Sequence, residues 1–170
     1  MEFATQWVCP QYIELDVDVP DRREALRAVS VMIARAKGLP APPVYRALWR
    51  REMAGSTGMG DGLAIPHARI AGITEPVTAY VRMRVPLNFA APDGKRVCEL
   101  YSILLPAESA QAEHLQLLAR VAQAFADSGF RTRLAAASTP REIRVVFTQW
   151  VDERRPSATT GRCAVPALPV

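Results

Sequence analysis

Histidine and cysteine are scarce in this chain of 170 residues, which contains two histidines and three cysteines. Cys9, Cys98 and Cys163 lie far apart, and their number is odd. Their spacing matches no zinc or redox motif, so we predict reduced, isolated thiols, as is usual in a cytosol. His67 and His114 form no HxH or HExxH motif, and no carboxylate cluster accompanies them. The sequence therefore predicts neither a metal site nor a cofactor.

Long apolar runs are also missing. No run reaches the roughly 18 residues that a membrane-spanning helix needs. The chain does not open on a charged segment followed by an apolar one, as a secretory signal would. We therefore expect a cytoplasmic protein without direct membrane insertion. With 49% hydrophobic residues, the chain is long enough for one globular domain with a sizeable core.

Positive charge is in slight excess, with a net charge of +4, but it forms no continuous basic stripe. The positive residues are scattered and interrupted by acids, as in residues 21–24 (DRRE) and 152–155 (DERR). No group of Lys or Arg carries the interleaved aromatic residues that are typical of a nucleic-acid-binding face. We therefore predict a solvated surface of mixed charge and no nucleic-acid partner.

Alternation of apolar and polar residues predicts several strands. Residues 13–18 form a short alternating segment, and residues 77–85 form the clearest strand pattern of the chain. Residues 97–105 are more continuously apolar, which is typical of a central strand buried on both faces. A shorter apolar strand is predicted over residues 63–66, where it ends on Pro66.

Capping signals and helical periodicity predict five helices. Asp21 and Thr139 are expected N-caps, each followed three residues later by glutamate, and Gly38 is an expected helix stop. The predicted helices span approximately residues 21–37, 42–53, 113–128, 130–137 and 140–151. The inward face of the third is predicted to include Leu115, Leu118, Val121, Ala122 and Phe125.

The mixture of strands and helices indicates a layered α/β domain. We place this domain at residues 11–152. Residues 1–10 show no periodic pattern and are expected to form a loose lead-in. Residues 153–170 are rich in Pro, Ser, Thr and Ala, a composition that predicts a flexible tail.

The most informative stretch is the glycine-rich run GSTGMGDGLAIPHAR at residues 55–69. A histidine at a strand end, approached by small residues, can act as a nucleophile near neutral pH. Glycine-rich backbone can turn several N–H groups toward an anion. The pattern favours a histidine that carries a phosphoryl group, while turn-forming glycines beside a structural histidine are the alternative. The Gly-Lys-Ser/Thr ending of a nucleotide-binding P-loop is absent.

The same run, together with Arg51 and Glu52, resembles the active-site signature of the fructose/mannitol-type enzyme IIA domains. These domains belong to the bacterial phosphoenolpyruvate-dependent phosphotransferase system, and the length of the chain is most like that of the nitrogen-regulatory members. The resemblance covers approximately residues 17–151. It implies a single enzyme IIA domain, with a mixed central β-sheet flanked by helices and an active site at the edge of the sheet.

The resemblance also assigns three catalytic residues. It places the phosphorylated histidine at His67, a second active-site histidine at His114, and the active-site arginine at Arg51. The guanidinium group of Arg51 is expected to bind the phosphoryl oxygens through charge-assisted hydrogen bonds.

Further phosphoryl-binding groups are expected in the glycine-rich run. Backbone N–H groups near Gly60 and Gly62 are candidate donors. Ser56 and Thr57 either donate their hydroxyl groups to the phosphoryl group or only shape the turn. An inward-facing Asp61 would repel a phosphoryl group, so we expect this residue to face solvent.

A docking patch for the partner is expected beside the signature. Met59 and Leu63 are its apolar candidates, with core packing as the alternative for Leu63. Arg51 and Arg69 are placed near the edge of the patch, and the role of Arg69 in the site stays open.

The leading functional hypothesis is a phosphohistidine carrier that accepts a phosphoryl group from a histidine phosphocarrier protein. Within the family, a regulatory IIA protein binds target proteins, whereas a sugar-transport IIA protein passes phosphate to a IIB domain. No fused IIB domain or membrane segment is recognised, which favours the regulatory role, although transport IIA proteins also occur as separate chains. A binding module that has lost phosphorylation is a second alternative, and a two-histidine metallohydrolase is a weak third one.

Overall fold

The computed structural model describes residues 7–154, which form a six-stranded mixed β-sheet with helices on both of its faces. In chain order the elements are β1 (Tyr12–Val17), α1 (Arg22–Lys37), α2 (Ala41–Met53), β2 (Gly58–Gly60), β3 (Leu63–Ala64), β4 (His67–Ile70), β5 (Val77–Leu87), β6 (Val97–Pro106), α3 (Gln111–Ala126), α4 (Ser128–Ala136) and α5 (Pro140–Glu153). The strands are ordered β1-β5-β6-β3-β2, and β4 pairs with β6 beyond the end of β3. The predicted fold class, a mixed sheet flanked by helices, is confirmed.

Strand β6 lies at the centre of the sheet, as its apolar run predicts. It pairs with β5 in antiparallel orientation and with β3 and β4 in parallel orientation. Leu100 and Leu104 point into a core that includes α1 and α2, whereas Tyr101, Ile103 and Leu105 point into a second core that includes α3, α4 and α5. Because both faces of β6 are covered, its alternate side chains organise the two halves of the hydrophobic core.

Strand β4 carries the candidate histidine to an edge of the sheet. Its Ala68 and Ile70 are buried against the α1–α2 side, so His67 and Arg69 project toward the opposite face. On its inner side, His67 is paired with Ile103 of β6. The strand predicted over residues 63–66 is shorter in the structure, where β3 ends at Ala64, and β4, which was not predicted, begins at His67. Pro66 separates them because it has no N–H to donate to a neighbouring strand.

The helix ends follow the capping residues in the sequence. The carboxylate of Asp21 accepts the N–H of Glu24 at 2.9 Å at the start of α1, and Gly38 ends this helix with a positive φ of 66°. At α5, Thr139 and Glu142 form a reciprocal capping box. At α4 the sequence prediction is late by two residues, because Asp127 is the N-cap and begins the helix at Ser128.

Two local expectations about packing are wrong. Leu115, predicted to face inward, is 58% exposed in the second turn of α3. The lead-in predicted over residues 1–10 is ordered at its end, where Val8 is fully buried. The hydroxyl of Tyr101 donates to the carbonyls of Val8 and Trp7, which fixes this segment to β6. The domain boundaries themselves stay predictions, and the predicted tail after Arg154 and its Cys163 lie outside the described residues.

Within residues 7–154, no helix is both long enough and apolar enough to cross a membrane. Cys9 and Cys98 form no disulfide.

The capping box of α5 provides a test of helix stabilisation. Replacing Thr139 with Ala should lower the free energy of unfolding by about 1 kcal/mol, because the N–H of Glu142 loses its side-chain acceptor. The matched control is Thr148→Ala in the same helix, where the exposed hydroxyl bonds to the carbonyl of Arg144 and caps no helix end. That change should stay within about 0.5 kcal/mol. Equal losses in urea unfolding of both variants would contradict this account of the cap.

Candidate functional site

The side chains of His67, Arg51 and His114 meet at the edge of the sheet, although they come from three different elements. His67 is the first residue of β4, Arg51 lies in the last turn of α2, and His114 lies in the first turn of α3. The Nε atom of Arg51 is 3.0 Å from Nε2 of His67. The two imidazole rings have centroids 5.1 Å apart and an interplanar angle of 70°. The structure thus brings together the three predicted catalytic residues.

The hydrogen bonds of His67 determine which ring nitrogen is available as a nucleophile. Nδ1 lies 2.8 Å from the carbonyl oxygen of Ile65, which can only accept a hydrogen bond. Nδ1 therefore carries the proton in the neutral ring, and Nε2 carries the lone pair. The N–H of Arg51 Nε donates to this lone pair. Nε2 is thus the atom that can form a bond with an electrophile.

His114 brings a second imidazole with unused hydrogen-bonding capacity. Its Nε2 is buried and has no hydrogen-bond partner among the described residues. A buried nitrogen without a partner carries a desolvation cost, which a group bound at the neighbouring His67 can relieve. His114 is therefore placed to donate a hydrogen bond to such a group.

Both histidines favour the neutral form. Burial lowers the pKa of His67, with a smaller lowering by Arg51, and the hydrogen bond to Ile65 opposes these effects only in part. Burial also lowers the pKa of His114, and the nearby His67, Arg69 and Arg51 lower it further. A neutral His67 at pH 7 is the form that can act as a nucleophile.

The loop after α2 holds Arg51 in place. Nη1 of Arg51 donates to the carbonyl of Gly55 at 2.9 Å, so the guanidinium group is fixed at two points. The loop is in turn fixed by Glu52, whose carboxylate is buried and accepts the N–H of Thr57 at 3.0 Å as well as its hydroxyl. Arg22 of α1 lies 3.4 Å from the other carboxylate oxygen and supplies the compensating charge.

The hydroxyl groups of Ser56 and Thr57 are engaged within the protein. Ser56 donates to the carbonyl of Phe89 and accepts the N–H of Gly58. Thr57 is buried and donates to Glu52. Of the two expectations for these residues, the structure favours a role in shaping the turn over direct donation to a phosphoryl group.

Comparison with known proteins identifies the family. Residues 8–150 match the model of the family described as phosphoenolpyruvate-dependent sugar phosphotransferase system, EIIA 2. The chain belongs to this family. It is thus a phosphotransferase-system component of the EIIA type. The match begins at the buried Val8, within the segment that the sequence predicts as a lead-in.

The most similar relatives of this EIIA domain include nitrogen regulatory proteins. The chain is 38% identical over 132 residues to the nitrogen regulatory protein of Pseudomonas aeruginosa, with 75% of this chain and 84% of that protein covered. It is 35% identical over 133 residues to the one from Escherichia coli, covering 78% and 81%. The crystal structure of IIA-Ntr from Neisseria meningitidis superposes with a TM-score of 0.75 at 36% identity, covering 80% and 92%.

Gly60 and Gly62 are not brought to His67 in this EIIA domain. The carbonyl of Gly62 accepts the N–H of Glu99, whereas His67 is paired with Ile103. Four residues of β6 separate these two points, which corresponds to about 13 Å along a strand. Gly60 lies in the same turn, on the far side of β3 from β6. The phosphoryl-binding role predicted for the two glycines therefore has no support in the geometry.

The turn at Asp61 lies beside the start of β6, whereas the histidines lie farther along that strand. Its carboxylate is 76% exposed and pairs with Lys95 at 3.0 Å, so the expectation that Asp61 faces solvent is confirmed. Its backbone N–H donates to Asp93 at 2.8 Å. This donor is consequently engaged by the loop between β5 and β6.

The two apolar residues predicted for the docking patch differ in their exposure to solvent. Leu63 is 3% exposed and belongs to the core, whereas Met59 is 53% exposed on the edge strand β2. Arg69 is exposed on β4, two residues beyond His67. In the described part of the chain, no group of three or more His, Cys, Asp or Glu side chains could hold a metal ion.

The sequence analysis missed the role of Glu52, although the sequence contains a signal for it. Val44, Leu48 and Glu52 are spaced four residues apart, so they lie on one face of α2, and all three are buried. A carboxylate that continues an apolar row indicates a buried acid with internal partners. The carbonyl of Ile65 sets the tautomer of His67. This role could not be predicted from the sequence, because every residue has a backbone carbonyl.

The lowered pKa values of both histidines predict how stability depends on pH. Because the folded state disfavours imidazolium and the unfolded chain does not, unfolding takes up protons once the pH falls below about 6.5. The free energy of unfolding should therefore stay level above that pH and decrease below it. Urea unfolding of the wild type and of His67→Gln between about pH 7.5 and 5 measures this, and the decrease should be smaller in the variant. Imidazole resonances that titrate above pH 6.5 would contradict it.

Proposed function

We propose that this chain is a phosphohistidine carrier that accepts a phosphoryl group at Nε2 of His67 from a histidine phosphocarrier protein. The observation that carries this proposal is the fixed tautomer of His67, which leaves Nε2 with the lone pair beside a guanidinium group. Among the described residues Arg51 forms no ion pair, so its positive charge is left to a group that binds at Nε2.

In the proposed transfer, a P–N bond forms at Nε2 of His67 as the P–N bond of the donor histidine breaks. The proton on Nδ1 stays on His67, where the carbonyl of Ile65 keeps it, and the leaving imidazole retains its electron pair. Arg51 must first release Nε2, because its Nε–H occupies the lone pair. The guanidinium group then binds the phosphoryl oxygens, whose developing charge it stabilises.

His114 is proposed to assist rather than to react. Its Nε2 has no partner within residues 7–154, and its ring lies next to that of His67. A hydrogen bond from this nitrogen to a phosphoryl oxygen satisfies both groups. A phosphoryl group carries roughly two negative charges at neutral pH, so it also favours protonation of His114.

The regulatory role is favoured over sugar transport. The relatives reported above carry the name nitrogen regulatory protein, and the match covers 81–84% of their lengths. We propose that the phosphorylation state of His67 is detected by target proteins. Passing phosphate to a IIB domain of a fructose/mannitol-type permease is the alternative, and a binding module without phosphorylation is a further one.

The decisive experiment is to incubate the protein with phosphoenolpyruvate, enzyme I and the histidine phosphocarrier protein. The expected product contains acid-labile, alkali-stable phosphate, which is characteristic of phosphohistidine and separates this function from a binding module. Transfer of this phosphate to an isolated IIB domain would instead support the transport role. Absence of any label in a folded protein would refute the proposed function.

Replacing each histidine with alanine should separate their roles. His67→Ala should abolish phosphorylation because the nucleophile is lost, whereas His114→Ala should still accept phosphate at a rate reduced by about 100-fold. Single-turnover labelling followed by mass spectrometry measures both variants, and circular dichroism controls for folding. A phosphoryl mass shift that persists in His67→Ala, or disappears in folded His114→Ala, would move the nucleophile to another residue.

Substitutions of Arg51 should distinguish its charge from its shape. Arg51→Ala should slow phosphoryl acceptance by about 100-fold, and Arg51→Lys should slow it less. Lysine keeps the charge but cannot contact His67 and Gly55 at the same time. Arg141→Ala is the control, since Arg141 is exposed in the first turn of α5. Unchanged rates in both Arg51 variants would remove this residue from the site.

A further inference from the structure

Helix α1 carries a patterned stripe on its exposed side. Glu24, Ala28, Val31 and Arg35 are spaced four, three and four residues apart, so they follow one line along the helix. None of the four is buried, and Val31 is 50% exposed. A single exposed valine is common on protein surfaces, but this one lies near the centre of a line whose ends carry charge. We call these four residues the α1 stripe.

The α1 stripe lines a groove between α1 and the edge strand β1. The groove has a volume of about 710 Å³, and Tyr12 and Glu14 of β1 line it from the other side. Among residues 7–154, β1 pairs only with β5. The outer edge of the sheet therefore has no further strand next to the groove, which leaves room for a partner.

The two ends of the α1 stripe carry opposite charges. Glu24 lies in the first turn of α1 and Arg35 in the last. They are eleven residues apart, which corresponds to about 16 Å along a helix. Such charges also suit the helix macrodipole, but the macrodipole does not account for the short apolar side chains of Ala28 and Val31 between them. Short side chains allow the axis of a second helix to approach to about 8–10 Å.

We propose that a second copy of this chain packs on the α1 stripe, so that the two α1 helices lie antiparallel across a two-fold axis between Ala28 and Val31. In a two-fold contact, every pair of facing residues occurs twice. With the axis at this point, Ala28 faces the partner's Val31. The same register places Glu24 opposite the partner's Arg35, so an ion pair closes each end of the contact.

A second copy fits this face better than a partner that carries charge of one sign. An acidic segment would meet Glu24 at one end of the stripe, and a basic segment would meet Arg35 at the other. The groove as a whole is balanced, since its charged residues are two acids and two arginines: Glu14, Glu24, Arg27 and Arg35. The exposed pair of Glu24 with Arg27 at 3.2 Å competes only weakly for Glu24.

The proposed contact does not involve the candidate site. Helix α1 packs on the face of the sheet that carries Leu100 and Leu104, whereas His67 projects toward the other face. The dimer is therefore independent of the proposed function, and it does not require phosphorylation of His67.

Sedimentation equilibrium of the full chain tests the proposed dimer. A contact between two single helices is small, so we expect a dissociation constant in roughly the micromolar range, and the measurement covers about 5 to 500 µM. Val31→Glu places two carboxylates beside the axis and should weaken association by about tenfold or more. The matched control is Val145→Glu on α5, since Val145 is 46% exposed and Val31 is 50% exposed. The control should associate as the wild type does.

Exchanging the end charges tests the antiparallel register. Glu24→Arg alone brings two arginines together at each end of the contact, and Arg35→Glu alone brings two carboxylates together. Each single variant should weaken association by about tenfold, because the symmetry changes two contacts at once. The double variant Glu24→Arg/Arg35→Glu restores opposite charges and should regain most of the lost affinity. Its charges oppose the macrodipole of α1 at both ends, so greater helix stability cannot explain the recovery.

Each result decides one part of the proposal. A wild-type chain that stays monomeric over the whole concentration range would refute the dimer. A dimer that Val31→Glu and Val145→Glu weaken equally, or that neither weakens, would place the contact on another surface. A double variant that associates no better than the single variants would refute the antiparallel register. Circular dichroism of each variant establishes that it is folded.

Discussion

The covering of strand β6 on both faces is the constraint on which the rest of the structure depends. Its alternate side chains require helices on both sides, which the chain supplies as α1–α2 and as α3–α5. Its hydrogen bonds to β3 and β4 determine where the glycine-rich run can lie. The position of His67 follows from its pairing with Ile103, so the candidate site depends on the most buried strand of the domain.

The partners of the buried Glu52 link the packing of the helices to the position of Arg51. The carboxylate is buried, and it bonds the turn at Thr57 and the helix α1 through Arg22. A buried acid is tolerated only when such partners are present. Because the same turn provides the carbonyl of Gly55 that holds Arg51, the orientation of the guanidinium group depends on the packing of α1 against α2.

The sequence is sufficient to predict those features that depend on residue type and spacing. The central strand follows from its apolar run, the ends of α1 and α5 from Asp21 and Thr139, and the site residues Arg51, His67 and His114 from the resemblance to the enzyme IIA signature. Features that depend on register could not be predicted. Gly60 and Gly62 are near His67 in sequence but not in space, and Leu115 faces outward although its spacing suits a buried face.

The hydrogen bond from Arg51 to Nε2 means that, under the proposed function, the nucleophilic nitrogen of the resting site is masked. A neutral electrophile that enters the site cannot draw the guanidinium group away, so it finds the lone pair occupied. An anionic phosphoryl donor attracts the guanidinium group to its own oxygens, and this movement frees the nitrogen at the moment when the donor is present. In the proposed transfer, the site would thereby distinguish its reagents by charge before any bond is formed.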